Sequence, residues 1–186
     1  MSLAGLRGAI IVLATSALLA GSLPAVASPK TDAEALARYR EAERIGKQHL
    51  KTFDTLDFDV YSNQKWDRLK ESHAADILVH YPDGHTTRGI PDHIKELKGI
   101  FTFAPDTNIK THPVRIESGD WTSVIGFLEG TFTKPMQLPG GKVIPPTGKP
   151  FKLTMSTVGH WKDGVMDEEY LFWDNASFMS QIGVGQ

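Results

Sequence analysis

After Arg7 the chain opens on a largely apolar run, residues 8–20, which gives way to Gly21-Ser22-Leu23-Pro24 and the small residues Ala25-Val26-Ala27. Beyond that run the apolar positions become periodic. Thr31-Asp32-Ala33-Glu34 has the spacing of a capping box, in which Thr31 and Glu34 reciprocally satisfy free backbone N–H groups. Leu36, Tyr39, Ala42, Ile45 and Leu50 or Phe53 then recur at helical spacing, predicting an amphipathic helix to about Thr52. A shorter helix is expected from Ser62 or Asn63, burying Trp66 and Leu69. The β-branched run 75–81 reads as a strand stopped by Pro82-Asp83-Gly84. Pro91, just after Gly89, suits the first position of a third helix, with Asp92 favouring its N-terminal dipole and Ile94, Leu97 and Phe101 on its buried face.

From Thr107 onward the rhythm changes to that of strands. Residues 109–117 and 121–133 flank the turn signal Ser118-Gly119-Asp120, and 151–161 and 165–173 flank a stronger one, Lys162-Asp163-Gly164. Asp174 or Asn175 can cap a last helix with Phe178, Met179 and Ile182 on its apolar face. Between the hairpins, residues 134–150 carry five prolines and three glycines, which predicts a long, stiffened, exposed loop near a cavity mouth. That loop is a candidate homodimer contact. Helices first and antiparallel strands after point to an α+β domain with helices on one face of a curved sheet.

The opening run follows the cationic, apolar, small-residue order of a secretory signal, with cleavage expected after Ala27. It is short of the roughly 20 apolar residues a spanning helix needs, so no membrane anchor is expected after cleavage. The chain is then read as a signal peptide, 1–27, and a single domain, 28–186, secreted or periplasmic. The whole chain has 20 basic and 22 acidic residues, and nothing in that balance suggests nucleic acid as a partner. With no cysteine, thiol nucleophiles and thiolate metal sites are excluded, and the core must hold without disulfides.

Several words resemble those of the SnoaL-like polyketide (ester) cyclases of the nuclear-transport-factor-2-like superfamily. They are His80-Tyr81-Pro82-Asp83-Gly84, Arg88-Gly89-Ile90, Ile144-Pro145-Pro146-Thr147-Gly148-Lys149, Asp163-Gly164, Phe172-Trp173-Asp174-Asn175 and Gln181-Ile182-Gly183. The resemblance implies a cone-shaped, curved antiparallel sheet with three N-terminal helices and a short C-terminal helix, closed around a cavity. It implies a small apolar or polycyclic organic ligand and proton-transfer chemistry (cyclisation, isomerisation or dehydration) without metal or organic cofactor. Anchored on those words, the acid/base pair of the family falls at Thr157 and Leu171, and neither side chain can perform it.

The candidates must therefore be argued from their own surroundings. A three-residue loop pairing Trp161 with Val165 would set Glu169, Leu171 and Trp173 on one face with Met155 and Thr157. Glu169 would then stand in an apolar cavity, where desolvation raises a carboxyl and suits it to acid/base work. A two-residue loop would flip the strand and turn Tyr170, Phe172 and Asp174 inward. Both registers stay open. His80 is either a base, since histidine titrates near neutrality, or a ring hydrogen-bonded at the sheet rim. Asp174 either lines the cavity mouth or caps the last helix. Tyr81 and Thr157 are candidate hydrogen-bond donors to a substrate. Trp66, Trp121 and Trp173 are either pocket walls or core. The seven histidines show no local metal-ligand spacing, so no metal is expected. Two functions follow: a cofactor-free proton-transfer enzyme with Glu169, His80 or Asp174 as acid/base, or a non-catalytic exported protein that holds an apolar ligand.

Overall fold

The structure, a computed structural model, describes residues 31–184; the expected signal peptide lies outside the described residues. Thr31 caps helix α1 (Asp32–Thr55) by accepting a hydrogen bond from the Glu34 N–H at 3.2 Å. The helix buries Gly46, His49, Leu50 and Phe53, whereas Leu36 and Tyr39 are 49% and 76% exposed. The expected apolar stripe is thus buried only in its C-terminal half, where Glu117 lies against Gly46. The chain then stays helical through a π-helical turn, Leu56–Tyr61. The second expected helix is a short 3-10 segment, Trp66–Glu71, with Leu69 fully buried.

Strand β1 (His73–His80) begins two residues before the β-branched run and pairs with β2 (Thr86–Arg88) across the Pro82-Asp83-Gly84 turn. Helix α2 (Ile90–Phe103) starts, as its Pro91 predicts, right after Gly89. The strand expected over 109–117 is broken at His112-Pro113 into β3 (Asn108–Ile109) and β4 (Val114–Ser118). Both pair with β5 (Trp121–Thr131), and β5 pairs along its whole length with β8 (Pro150–Lys162). Strand β9 (Val165–Trp173) lies between β8 and β1. The pairings are antiparallel except β1 with β9, which is parallel. Helix α3 (Asn175–Gln181) follows, with the Asp174 carboxylate accepting from the N–H groups of Ala176 and Ser177 at 2.9 and 3.1 Å.

The stretch 134–150 is more ordered than a Pro- and Gly-rich loop predicts. It contains a small hairpin, β6 (Met136–Gln137) with β7 (Val143–Ile144), that buries Met136 and Ile144. The next word along, Pro-Pro-Thr-Gly, meets the C-terminal Gln-Ile-Gly. Thr147 Oγ1 donates to the Ile182 carbonyl at 2.6 Å, and the Gln181 side chain accepts from the Lys152 N–H at 2.7 Å. Among the described residues no helix is long and apolar enough to cross a membrane.

The last hairpin decides which side chains of β9 face inward, and its loop is the shorter of the two that the sequence left open. Only Asp163 and Gly164 form it, both with positive φ (52° and 84°), so Lys162 faces Val165. Such a two-residue turn matches the twist of its strands. By itself it would turn Glu169 outward. A bulge at the base of β9 adds one residue, so that Trp161 faces Met166 but His160 faces Glu168. Two one-residue shifts restore the original face, and Glu169, Leu171 and Trp173 point the same way as Met155 and Thr157. The core explains the bulge. Met166 is fully buried and Glu169 and Leu171 are buried too; Met166 and Glu169 are three positions apart, which an unbroken pleat would put on opposite faces.

Candidate active site

The concave face of the sheet, α1 with its π-helical turn, α2 and α3 enclose a cavity of about 420 Å³, a volume typical of small-molecule sites. Most of its wall is apolar, from side chains such as Phe53, Ile109, Val124, Leu128, Leu171 and Phe178. Its polar groups include Asp57, His73, Tyr81, His93, Thr157 and Glu169.

At their centre is Glu169, 4% exposed and opposite Gly159 on β8. Its Oε2 stands 3.5 Å from His93 Nε2 and 3.7 Å from His73 Nε2. Neither separation gives Oε2 a hydrogen bond, and both it and His73 Nε2 are buried without a partner. His73 opens β1, and its Nδ1 lies 2.8 Å from Ser72 Oγ and 3.3 Å from the Leu69 carbonyl. His93 sits in the first turn of α2, with Nδ1 2.9 Å from the Tyr81 hydroxyl. Both rings are therefore oriented through Nδ1 while Nε2 faces the carboxylate. An unpaired buried oxygen is costly, by about 1–3 kcal/mol or more for a charged group, and such a group calls for an explanation, a catalytic role or a bound ion among them.

Burial alone would raise the Glu169 carboxyl. The imidazoles of His73 and His93 outweigh it and hold the group below its ordinary value, so the expected upward shift is reversed by neighbours that lie far away in sequence. Burial, chiefly, pushes His93 down to about 4. An unfolded histidine takes up its proton near pH 6.5. Between about pH 6.5 and 4 the unfolded chain therefore binds more protons at this residue, and stability falls as the pH falls. Glu169, ionised to lower pH in the fold than in the unfolded chain, extends that loss further into acid. The urea midpoint of the wild type should drop through this window. The drop should be shallower in His93→Gln; an equal drop in both would place the acid sensitivity elsewhere.

The same trio could hold a divalent cation, since one ligand atom from each of His73, His93 and Glu169 lies within 4.8 Å of the others. The 3.5 and 3.7 Å separations lie near the roughly 3.3 Å edge of a tetrahedron built from bonds of about 2.0–2.1 Å. Local spacing hid this set, because its members come from three separate elements.

Of the residues singled out in the sequence, Glu169, Tyr81, Thr157 and Trp173 line the cavity. Thr157 and Leu171, the two positions where the resemblance places an acid/base pair, are Cα partners across β8 and β9 and both face the cavity. His80 does not face it. Alternation along β1 turns its neighbour Val79 inward and His80 to the other side of the sheet, where it stacks on Tyr170 at 4.2 Å and meets Glu168 Oε1 at 2.8 Å. Asp174 is a helix cap. Trp66, half-buried and outside the cavity lining, packs edge-on against Tyr61 and Phe101, and Trp121 is 42% exposed beside His160.

The profile of the SnoaL-like polyketide cyclase family matches residues 53–182. The chain belongs to that family. Solved structures agree on the fold. A SnoaL-like protein of Jannaschia sp. CCS1 superposes with a TM-score of 0.65 at 21% identity, over 76% of this chain and 96% of that one. IdmH of Streptomyces antibioticus gives 0.63 at 24%, over 74% and 99%, and TsrD of Streptomyces laurentii 0.60 at 16%, over 76% and 97%. A comparison with curated proteins finds no match. In this SnoaL-like chain, then, the fold is that of the family, and the positions where the resemblance places an acid/base pair carry Thr157 and Leu171.

Proposed function

We propose that this SnoaL-like protein is an acid/base enzyme that moves protons on a small, largely apolar ketone held in the cone cavity. The observation that carries the reading is the unpartnered Oε2 of Glu169, buried at the cavity wall between two imidazoles. A base for a carbon acid must present a free lone pair inside a site from which water is excluded, since a C–H group offers no hydrogen bond of its own beforehand. Glu169 would take the proton next to the carbonyl. The Thr157 hydroxyl, on the adjoining strand, would donate to the oxygen on which charge develops. Apolar walls favour an apolar substrate and strengthen each electrostatic contact within. Belonging to the SnoaL-like family supports this class of chemistry. In keeping with the leader-like 1–27, we place the reaction outside the cytoplasm.

The test is deuterium wash-in at the acidic α-carbon of 2-tetralone, a bicyclic apolar ketone, followed by NMR in D₂O with and without EDTA. The wild type should accelerate exchange equally in both. Acceleration that EDTA removes would move the reading to a metal-assisted one at the His73, His93 and Glu169 trio. Binding of the ketone without any acceleration would favour a protein that only holds an apolar ligand.

A further inference from the structure

A further carboxylate reaches the cavity from the helical side. Asp57 lies in the π-helical turn after α1 and lines the cavity with its side chain 16% exposed. π-Helical turns that extend an α-helix are frequent at functional sites. Behind Asp57 runs a chain of charged groups. Its Oδ2 is 2.8 Å from His112 Nε2, His112 Nδ1 is 2.8 Å from Asp54 Oδ1, and Asp54 Oδ2 is 2.7 Å from Arg115 Nη2. Exposure rises along it: the His112 side chain is 1% exposed, that of Asp54 26% and that of Arg115 39%. One end therefore opens on the cavity and the other on solvent.

The ring at the middle is fixed on every side. Phe53 meets it edge-on at 5.6 Å and Phe58 lies 4.4 Å away. Gly126 on β5 leaves it room, since a Cβ there would stand 3.2 Å from His112 Cδ2. With a carboxylate on each nitrogen, the ring either donates both N–H groups as a cation, or one neighbouring carboxyl carries the proton instead. These two states differ by the shift of one proton along one hydrogen bond. A purely structural role would be met as well by apolar side chains, which often replace buried ion pairs without loss of stability.

We propose that Asp57 is a second acid/base group of this cavity, and that His112 and Asp54 form the path by which it exchanges protons with solvent. The proposal rests on the reading of Glu169 as the base. Glu169 takes a proton from the α-carbon, and the electron pair of that C–H bond moves toward the carbonyl. Asp57, in its protonated form, delivers its proton to the oxygen that becomes anionic. His112 then returns a proton to Asp57 and regains one through Asp54 from water, while Glu169 releases its own through the open cavity. Burial, chiefly, raises the Asp57 carboxyl, which favours the protonated form that an acid needs. The hydrogen bonds and charges of Asp57 and Asp54 outweigh burial and raise His112. Besides His112, the charged or titratable groups that bear on Asp57 are Glu169 from β9, His73 from β1 and Tyr61 of its own turn.

The same exchange of 2-tetralone hydrogens, expressed per folded molecule, tests this. Asp57→Asn keeps an acceptor for His112 but cannot carry the proton, and should slow exchange by about 10²-fold. Asp54→Asn, near the surface, should leave the unfolding midpoint close to the wild type yet slow exchange, and added imidazole buffer should restore the rate by supplying protons in place of the path. Wild-type exchange in both Asp57→Asn and Asp54→Asn, with Glu169→Gln inactive, would overturn the path and leave the base in place. Full exchange in Glu169→Gln, or a wild-type rate no faster than buffer, would overturn both readings.

Discussion

Glu169→Gln is expected to slow any proton transfer in the cavity by about 10² to 10⁴-fold, the usual worth of a positioned acid/base group. Gln preserves the shape of the side chain and can still hydrogen-bond, but it exchanges no proton near neutral pH. The fold should survive. Oε2 has no hydrogen bond to lose, and the backbone of Glu169 stays paired with Gly159 on one side and Val79 on the other. Glu169→Leu should fold as well, because it removes a buried carboxyl whose partners stand 3.5 and 3.7 Å away. Ketone binding should persist in both, so the loss should fall on the rate of the chemical step rather than on affinity. Isotope exchange, unfolding curves and ligand titration on the same preparations check each part. An active Glu169→Gln would move the base to another cavity residue.

Trp161→Ala is expected to destabilise the protein by about 3–5 kcal/mol, the range for truncating a buried Trp or Phe. Trp161 is 2% exposed, stacks on His49 at 4.6 Å with ring planes 7° apart, and donates Nε1–H to Thr122 Oγ1 at 2.8 Å. It also faces Met166 at the bulge. Truncation opens a cavity at the point where the hairpin changes register. Trp161→Phe keeps most of the apolar volume but strands the buried Thr122 hydroxyl, so a smaller loss of about 1–3 kcal/mol is expected. Urea unfolding with an unchanged m value measures both. A loss below about 1 kcal/mol for Trp161→Ala would show that packing at this point does not hold the hairpin.

Much of the local architecture can be read from neighbouring residues. Thr31 caps α1 as its type and spacing predict, and of the two readings left open for Asp174 the structure takes the helix cap. Pro91 opens α2, and Asp163-Gly164 turns the last hairpin. The inward face of Glu169 was one of two registers the sequence left open, and the bulge in β9 decided it, since a two-residue loop plus a bulge leaves the same residues inside as a three-residue loop. The outward face of His80 was open as well, since a strand-end histidine reads equally well on either side until its neighbours are placed.

The long-range arrangement follows other rules. His73 and His93 carry no spacing signal toward Glu169, because 20 positions separate the two histidines and 76 separate His93 from the carboxylate. They meet only once β1 pairs beside β9 and α2 packs across the sheet end. Asp57 and His112 likewise belong to a helix extension and to the break between β3 and β4. The hairpin in 134–150 forms although Pro and Gly crowd it, since Met136 and Ile144 gain burial against the core. By itself the sequence determined the caps, the turns, the alternation of helices and strands and the family, because those depend on hydrogen bonds and backbone preferences within a few residues. The tertiary structure alone decided which histidines face Glu169 and how Asp57 reaches solvent. Those depend on strand register and packing between distant elements, where a shift of one residue turns a side chain from cavity to surface.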